Sequence, residues 1–184
     1  YGVAAQDGLN AFRHWFMWSA IERRPGVYDW DDYDRQMDLA AKNGIKTIIA
    51  ELTHTVPEWA YRKYAHARQL HMDGSPMGLG MGVSSATGGF SRSAGGAGAL
   101  TMNAPDVKEA VAAFLKTLAS RYKGHPSLLG YDVWNEVNYA EHADYSEYMK
   151  ADFRLWLKEK YRDLYTLAEA WHRYSYAEWD DVDP

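Results

Sequence analysis

Cysteine is absent from this 184-residue chain. No disulfide framework and no thiolate-bound metal can be built from it, and the composition fits a reducing compartment such as the cytoplasm. No stretch approaches the roughly 18 consecutive apolar residues of a membrane-crossing helix, so no membrane partner is expected. Positive charge is also short, with 20 Lys and Arg against 25 Asp and Glu and a formal net charge of −5. Without a basic block, binding to nucleic acid or to an anionic lipid surface is not expected either. The seven histidines include His66, His71, His125, His142 and His172 at spacings that no regular metal motif uses, so neither a metal nor another cofactor is expected. The opening residues, Tyr1-Gly2-Val3-Ala4-Ala5-Gln6-Asp7, hold no initiator Met and nothing like a signal peptide. The expectation is a fragment of a longer protein.

What is present is a globular composition, 47% hydrophobic and 24% charged, with eight Trp and fourteen Tyr. Aromatic rings of this number serve either a core or the apolar faces of sugar rings, and composition alone favours the core. Residues 8–18 read as an aromatic strand, and Arg24-Pro25-Gly26 as a turn. Residues 31–43 read as a helix with Tyr33, Met37, Leu39, Ala40 and Ala41 on its apolar side and Asn43-Gly44 closing it. Residues 45–52 make a β-branched strand, and Pro57 begins a short helix ending near Tyr64. Nine of the twenty-five residues from Gly74 to Gly98 are glycine, which predicts a long loop over about 74–100 with no packing of its own. A helix over 106–122, a break at Gly124-His125-Pro126, a strand over 128–133, a helix over 145–161 and a short Thr166-capped helix complete the order. Strands separated by helices imply an α/β fold with parallel pairing, and three strands are too few to close a sheet on themselves.

The strand over 128–133 runs directly into Trp134-Asn135-Glu136-Val137. A glutamate delivered at the end of a short buried strand, walled by Trp134, is placed to hold a proton near neutrality through desolvation. Asn135 beside it suits a sugar hydroxyl. The chemistry this suggests is glycoside cleavage, which requires a second carboxylate.

Several segments carry a family likeness: Trp18-Ser19-Ala20-Ile21-Glu22, Pro25-Gly26-Val27-Tyr28-Asp29-Trp30, Asn43-Gly44-Ile45-Lys46, Pro57-Glu58-Trp59, Asn135-Glu136, and Phe153-Arg154-Leu155-Trp156-Leu157-Lys158. Their order and spacing resemble clan A glycoside hydrolases, most closely the family 42 β-galactosidases, and the likeness covers nearly the whole chain. It implies a partial (β/α)8 TIM barrel covering about strands 2 to 4 and their helices, with 1–184 a fragment of one catalytic domain. It further implies a retaining β-glycosidase with Glu136 as general acid/base and Asn135 on the sugar at the scissile bond. The nucleophile would lie beyond Pro184, leaving the isolated chain inactive. Two departures stand out. The cysteine cluster that many members use for zinc is missing after Asn135-Glu136. The arginine-bearing loop of the family is replaced by the Gly-rich stretch, where Arg92 is the positional candidate.

The remaining candidates each have a structural alternative. Glu51, at the end of the second strand, binds a sugar hydroxyl or forms an ion pair, and His54 donates to a hydroxyl or caps a helix. Trp18 either lines the sugar site or packs in the core. Arg13, inside the first strand, needs a partner, for which Glu51 is one candidate. Asp29, Asp31, Asp32 and Asp34 read as a solvated helix start. The rival functions are another clan A β-glycanase, mannanase- or xylanase-like, and a carbohydrate-binding remnant without catalysis. Open barrel edges would favour a homo-oligomer.

Overall fold

The computed structural model describes residues 1–50, 53, 55–76, 81–84, 89–92, 100–133 and 144–184, with the backbone alone described at 81–84 and 89–92. Glu51, Leu52, His54 and residues 134–143 lie outside the described residues.

The segment predicted as one strand over 8–18 is divided. Residues Gly2–Gln6 form a short helix, α1, and Gly8 then turns the chain with φ +85° into strand β1, Ala11–Trp15. The last sheet bond of this edge runs from Phe16 N–H to the Ala50 carbonyl, after which Met17 starts the one-turn helix α2, Trp18–Ile21. An unbroken aromatic run has no period that could reveal this change of state.

Helix α3, Asp31–Lys42, carries three aspartates in its first turn, where they favour the positive end of the helix dipole. Tyr33, Met37 and Ala40 are its buried stripe, at helical spacing, while Leu39 falls outside it at 40% exposure. Gly44, at φ +68°, supplies the left-handed residue that ends the helix. Strand β2, Lys46–Ala50, then lies parallel to β1, with Arg13 beside Ile48 and Trp15 beside Ala50. Pro57 starts helix α4, Glu58–Lys63, which continues into a 3₁₀ turn at Ala65–Ala67.

The Gly-rich stretch, expected to be a loop throughout, contains an antiparallel pair of strands, β3, Met81–Ser84, and β4, Gly89–Arg92, with Val83 opposite Phe90. A count of glycines gives no sign of this pairing.

Helix α5, Pro105–Tyr122, has Pro at its start and buries Val107, Val111, Phe114, Leu118 and Tyr122 along one face. It leads to strand β5, Leu128–Tyr131, parallel to β2, so that the sheet order is β1-β2-β5. The register shifts once: Thr47 pairs with Leu128 but Ile48 with Gly130, leaving Leu129 as an extra residue. Helices α3 and α5 and residues from α4 cover one sheet face, where Phe16, Trp18, Ile49, Phe114 and Leu118 form the main core.

Helix α6, Glu147–Tyr161, and helix α7, Leu164–Trp171, are followed by a 3₁₀ turn at Trp179–Asp181. Their N-caps are Ser146 and Asp163, each accepting a backbone N–H, so α7 begins earlier than the Thr166 cap predicts. Leu157, Leu167 and Val182 make a second, smaller core. Arg154 binds the Val182 carbonyl at 2.9 Å, the Asp180 carboxylate at 3.0 Å and the Asp183 carboxylate at 3.1 Å, fixing the last turn against α6.

Candidate active site

The C-terminal ends of the three parallel strands bring together Trp15, Ala50 and Asp132. Residues paired across parallel strands share a face, so Arg13 and Trp15, Ile48 and Ala50, and Gly130 lie on the side away from α3 and α5. Asp132 joins them: its N–H reaches the Ile49 carbonyl at 2.9 Å, and its carboxylate accepts Arg13 Nε at 2.7 Å. Arg13 and Asp132 keep 36% and 32% of their side-chain surface, so the pair is partly exposed. Among the described residues Arg13 is paired with Asp132, 119 residues away in sequence; Glu51, one candidate partner named from the sequence, lies outside them.

Trp15, at 44% exposure, stands beside this pair. It also lines an open groove of about 490 Å³ along the β1 edge, together with Met17, Arg23, Asp29 and Gln36. Arg23 and Asp29 are paired there at 3.3 Å. On the opposite side of β1, His14 meets the Tyr1 hydroxyl at 2.9 Å, and burial lowers its pKa, favouring the neutral ring.

The segment after β1 is fixed by Glu22. Its buried carboxylate accepts the Trp18 indole N–H at 2.6 Å and the Gly26 N–H at 2.7 Å, and its carbonyl accepts the Trp59 indole at 2.7 Å. Trp18 is only 1% exposed and stacks on Phe114 at 5.7 Å between ring centres. Its indole is engaged in core packing, the structural alternative raised by the sequence.

On the far side of the segment that carries Glu136, Asp144 is buried and accepts the Ser146 N–H at 2.8 Å and the Leu70 N–H at 3.2 Å, tying residues 144–146 to the stretch after α4. Of the candidates named from the sequence, Glu51, His54, Trp134, Asn135 and Glu136 lie outside the described residues, and Arg92 is placed only as the last backbone position of β4. The Arg13–Asp132 pair could not be paired from sequence; only the period-two alternation from Arg13 to Trp15 signalled a common face. Among the described residues no group of three His, Asp or Glu is arranged to hold a metal ion.

Comparison with known proteins adds a second line of observation. A family profile described as Beta-galactosidase, glycoside hydrolase family 42, matches residues 3–184. The β-galactosidase LacZ of Heyndrickxia coagulans is 30% identical over 171 residues, covering 91% of this chain and 24% of that protein. The solved structure of the polyextremophilic β-galactosidase of Halorubrum lacusprofundi superposes with a TM-score of 0.78 at 25% identity, over 98% of this chain and 26% of that one. The β-galactosidase of the psychrophilic Marinomonas ef1 gives 0.76 at 26% identity, over 99% and 27%. The chain therefore spans about a quarter of the length of these relatives.

Proposed function

The chain belongs to the glycoside hydrolase family 42 β-galactosidases, and from that premise we propose that it carries the acid/base side of a retaining β-galactosidase site. It is an α/β partial barrel of three parallel strands, and we take 1–184 as part of a single (β/α)8 catalytic domain. The observation that carries the reading is β5: a parallel strand whose C-terminal end, Tyr131-Asp132-Val133, leads within three residues to Glu136. Catalytic groups of such barrels stand at the C-terminal ends of their strands.

In this reading Glu136 protonates the leaving glycosidic oxygen and then, as carboxylate, takes a proton from the water that releases the sugar. Between these steps a second carboxylate holds the anomeric carbon covalently, and it comes from outside these 184 residues. Asn135 binds the hydroxyl next to the reacting carbon. Trp134, His54, Glu51 and Arg92 are the proposed sugar contacts, and Trp18 is the packed support beneath the strand ends. The isolated chain is then inactive, and it self-associates through the open edges of β1 and β5.

The test is hydrolysis of nitrophenyl β-galactoside by the full-length protein carrying this sequence and by its Glu136→Gln variant. A loss of about 10²–10⁴ in kcat is expected for removal of a general acid/base. Unchanged turnover in Glu136→Gln, or turnover by the 184-residue chain alone, would overturn this assignment.

A further inference from the structure

The face that carries Arg13 and Asp132 has an occupant in Trp15 whose exposure the core does not explain. Trp15 is the last residue of β1, at the end of the sheet where Asp132 also lies, and it stays 44% exposed while the large aromatics Phe16 and Trp18 next to it are buried completely or nearly so. Its register neighbour is Ala50, a side chain too small to cover an indole. On the next strand, beside Ile48, Gly130 has nothing within 4 Å of the place its Cβ would take. Arg13 crosses β2 to reach Asp132. An aromatic plane and a partly exposed carboxylate–guanidinium pair thus stand on one face of the sheet, above the fully buried Ala50.

We propose that Trp15 is a sugar-binding platform of the active site, its indole packing against the apolar face of the galactosyl ring, with the Asp132 carboxylate accepting a ring hydroxyl. A pyranose matches that arrangement because one of its faces presents C–H bonds while its rim presents hydroxyls. The indole supplies a rigid apolar surface at small entropic cost, and Asp132 supplies an acceptor already oriented by Arg13. This rests on the glycosidase reading, because it gives Trp15 a part in binding the substrate of that reaction. Binding of the ring by a flat face acts alike on the ground state and the transition state, so the effect falls on KM.

The experiment is the steady-state kinetics of nitrophenyl β-galactoside hydrolysis by the full-length protein with Trp15→Ala and Trp15→Phe, with thermal melting of each. The expected result is a KM raised about tenfold in Trp15→Ala, largely restored in Trp15→Phe, with kcat within about threefold and the melting temperature kept. An unchanged KM in Trp15→Ala overturns the platform and leaves the glycosidase reading in place. A lower kcat accompanied by a lower melting temperature in both variants gives Trp15 a packing role, and also overturns it. Should Trp15→Ala fail to fold, a wild-type rate in Trp15→Phe with KM raised less than about tenfold still supports the platform, whereas a loss equal to that of a non-aromatic Trp15→Leu overturns it. No hydrolysis by the unaltered protein overturns the glycosidase reading and the platform together.

Discussion

Replacing Asp34 by Ala should destabilise the chain by about 2 kcal/mol near neutral pH. Asp34 projects from α3 to the end of α5, where it accepts Arg121 Nε at 2.8 Å, a second bond from Arg121 Nη2, and the Tyr122 hydroxyl at 3.0 Å. The ion pair keeps 40% and 34% of its side-chain surface, so solvent screening limits its worth to about 1 kcal/mol at most. Tyr122 is different, because it is 2% exposed and its hydroxyl would lose its acceptor, at a cost of about 1–3 kcal/mol. The pH dependence has a definite sign. The Arg121 hydrogen bonds hold the Asp34 carboxyl below its ordinary range against the opposing effect of burial, with Tyr122 adding to the lowering. A carboxyl lowered in the folded state stabilises above its unfolded pKa, near 3.9, and that stability is lost as pH falls through the lower folded value. Urea unfolding of wild type, Asp34→Ala, Tyr122→Phe and the double variant measures both claims. The Asp34→Ala penalty should shrink by about 1 kcal/mol in the Tyr122→Phe background, and should shrink again below about pH 3. A penalty under about 0.5 kcal/mol near pH 7, or one that does not change on acidification, would refute the reasoning.

Two further substitutions test the packing. Phe114→Ala should cost about 3–5 kcal/mol by chemical denaturation, since its ring is fully buried against Trp18; a cost under about 1 kcal/mol would mean that the main core is not where the contacts place it. Ser146→Ala should cost about 1–2 kcal/mol, because the buried hydroxyl caps α6 at Met149 N–H and also donates to Asp144 at 2.9 Å. Circular dichroism should show the loss as a shorter helix, and an unchanged melting curve would remove Ser146 from the cap.

The elements most legible in the sequence were those whose residues repeat with one period. Tyr33, Met37 and Ala40 in α3, and Val107, Val111, Phe114 and Leu118 in α5, announce their helices because one buried stripe dictates the pattern. The β-branched Thr47, Ile48 and Ile49 announce β2 in the same way. Helix α1 has no buried residue, so no stripe could mark it. Asp34 read as one more solvated aspartate because its partners lie 87 and 88 residues away. The candidate site divides similarly. A glutamate and asparagine after a short strand form a local signal, whereas the face shared by Arg13, Trp15 and Asp132 exists only once β1, β2 and β5 are aligned.

The single extra residue at Leu129 bears on which length changes the chain tolerates. Because it offsets β5 by one position, every residue after it points to the opposite side from the one a continuous ladder would give. Were Leu129 drawn into the ladder, Tyr131 would fall beside Ala50 on the face of Arg13, and Asp132 would turn toward the side where Ile49 is buried; deleting Leu129 instead leaves Gly130 beside Ile48 and Tyr131 beside Ile49. Exchanges of Leu129 itself, 57% exposed, leave this parity untouched. Point changes at that position, and its deletion, therefore leave the two sides as they are, while pairing the extra residue into the ladder reverses the two sides of everything that follows in the strand.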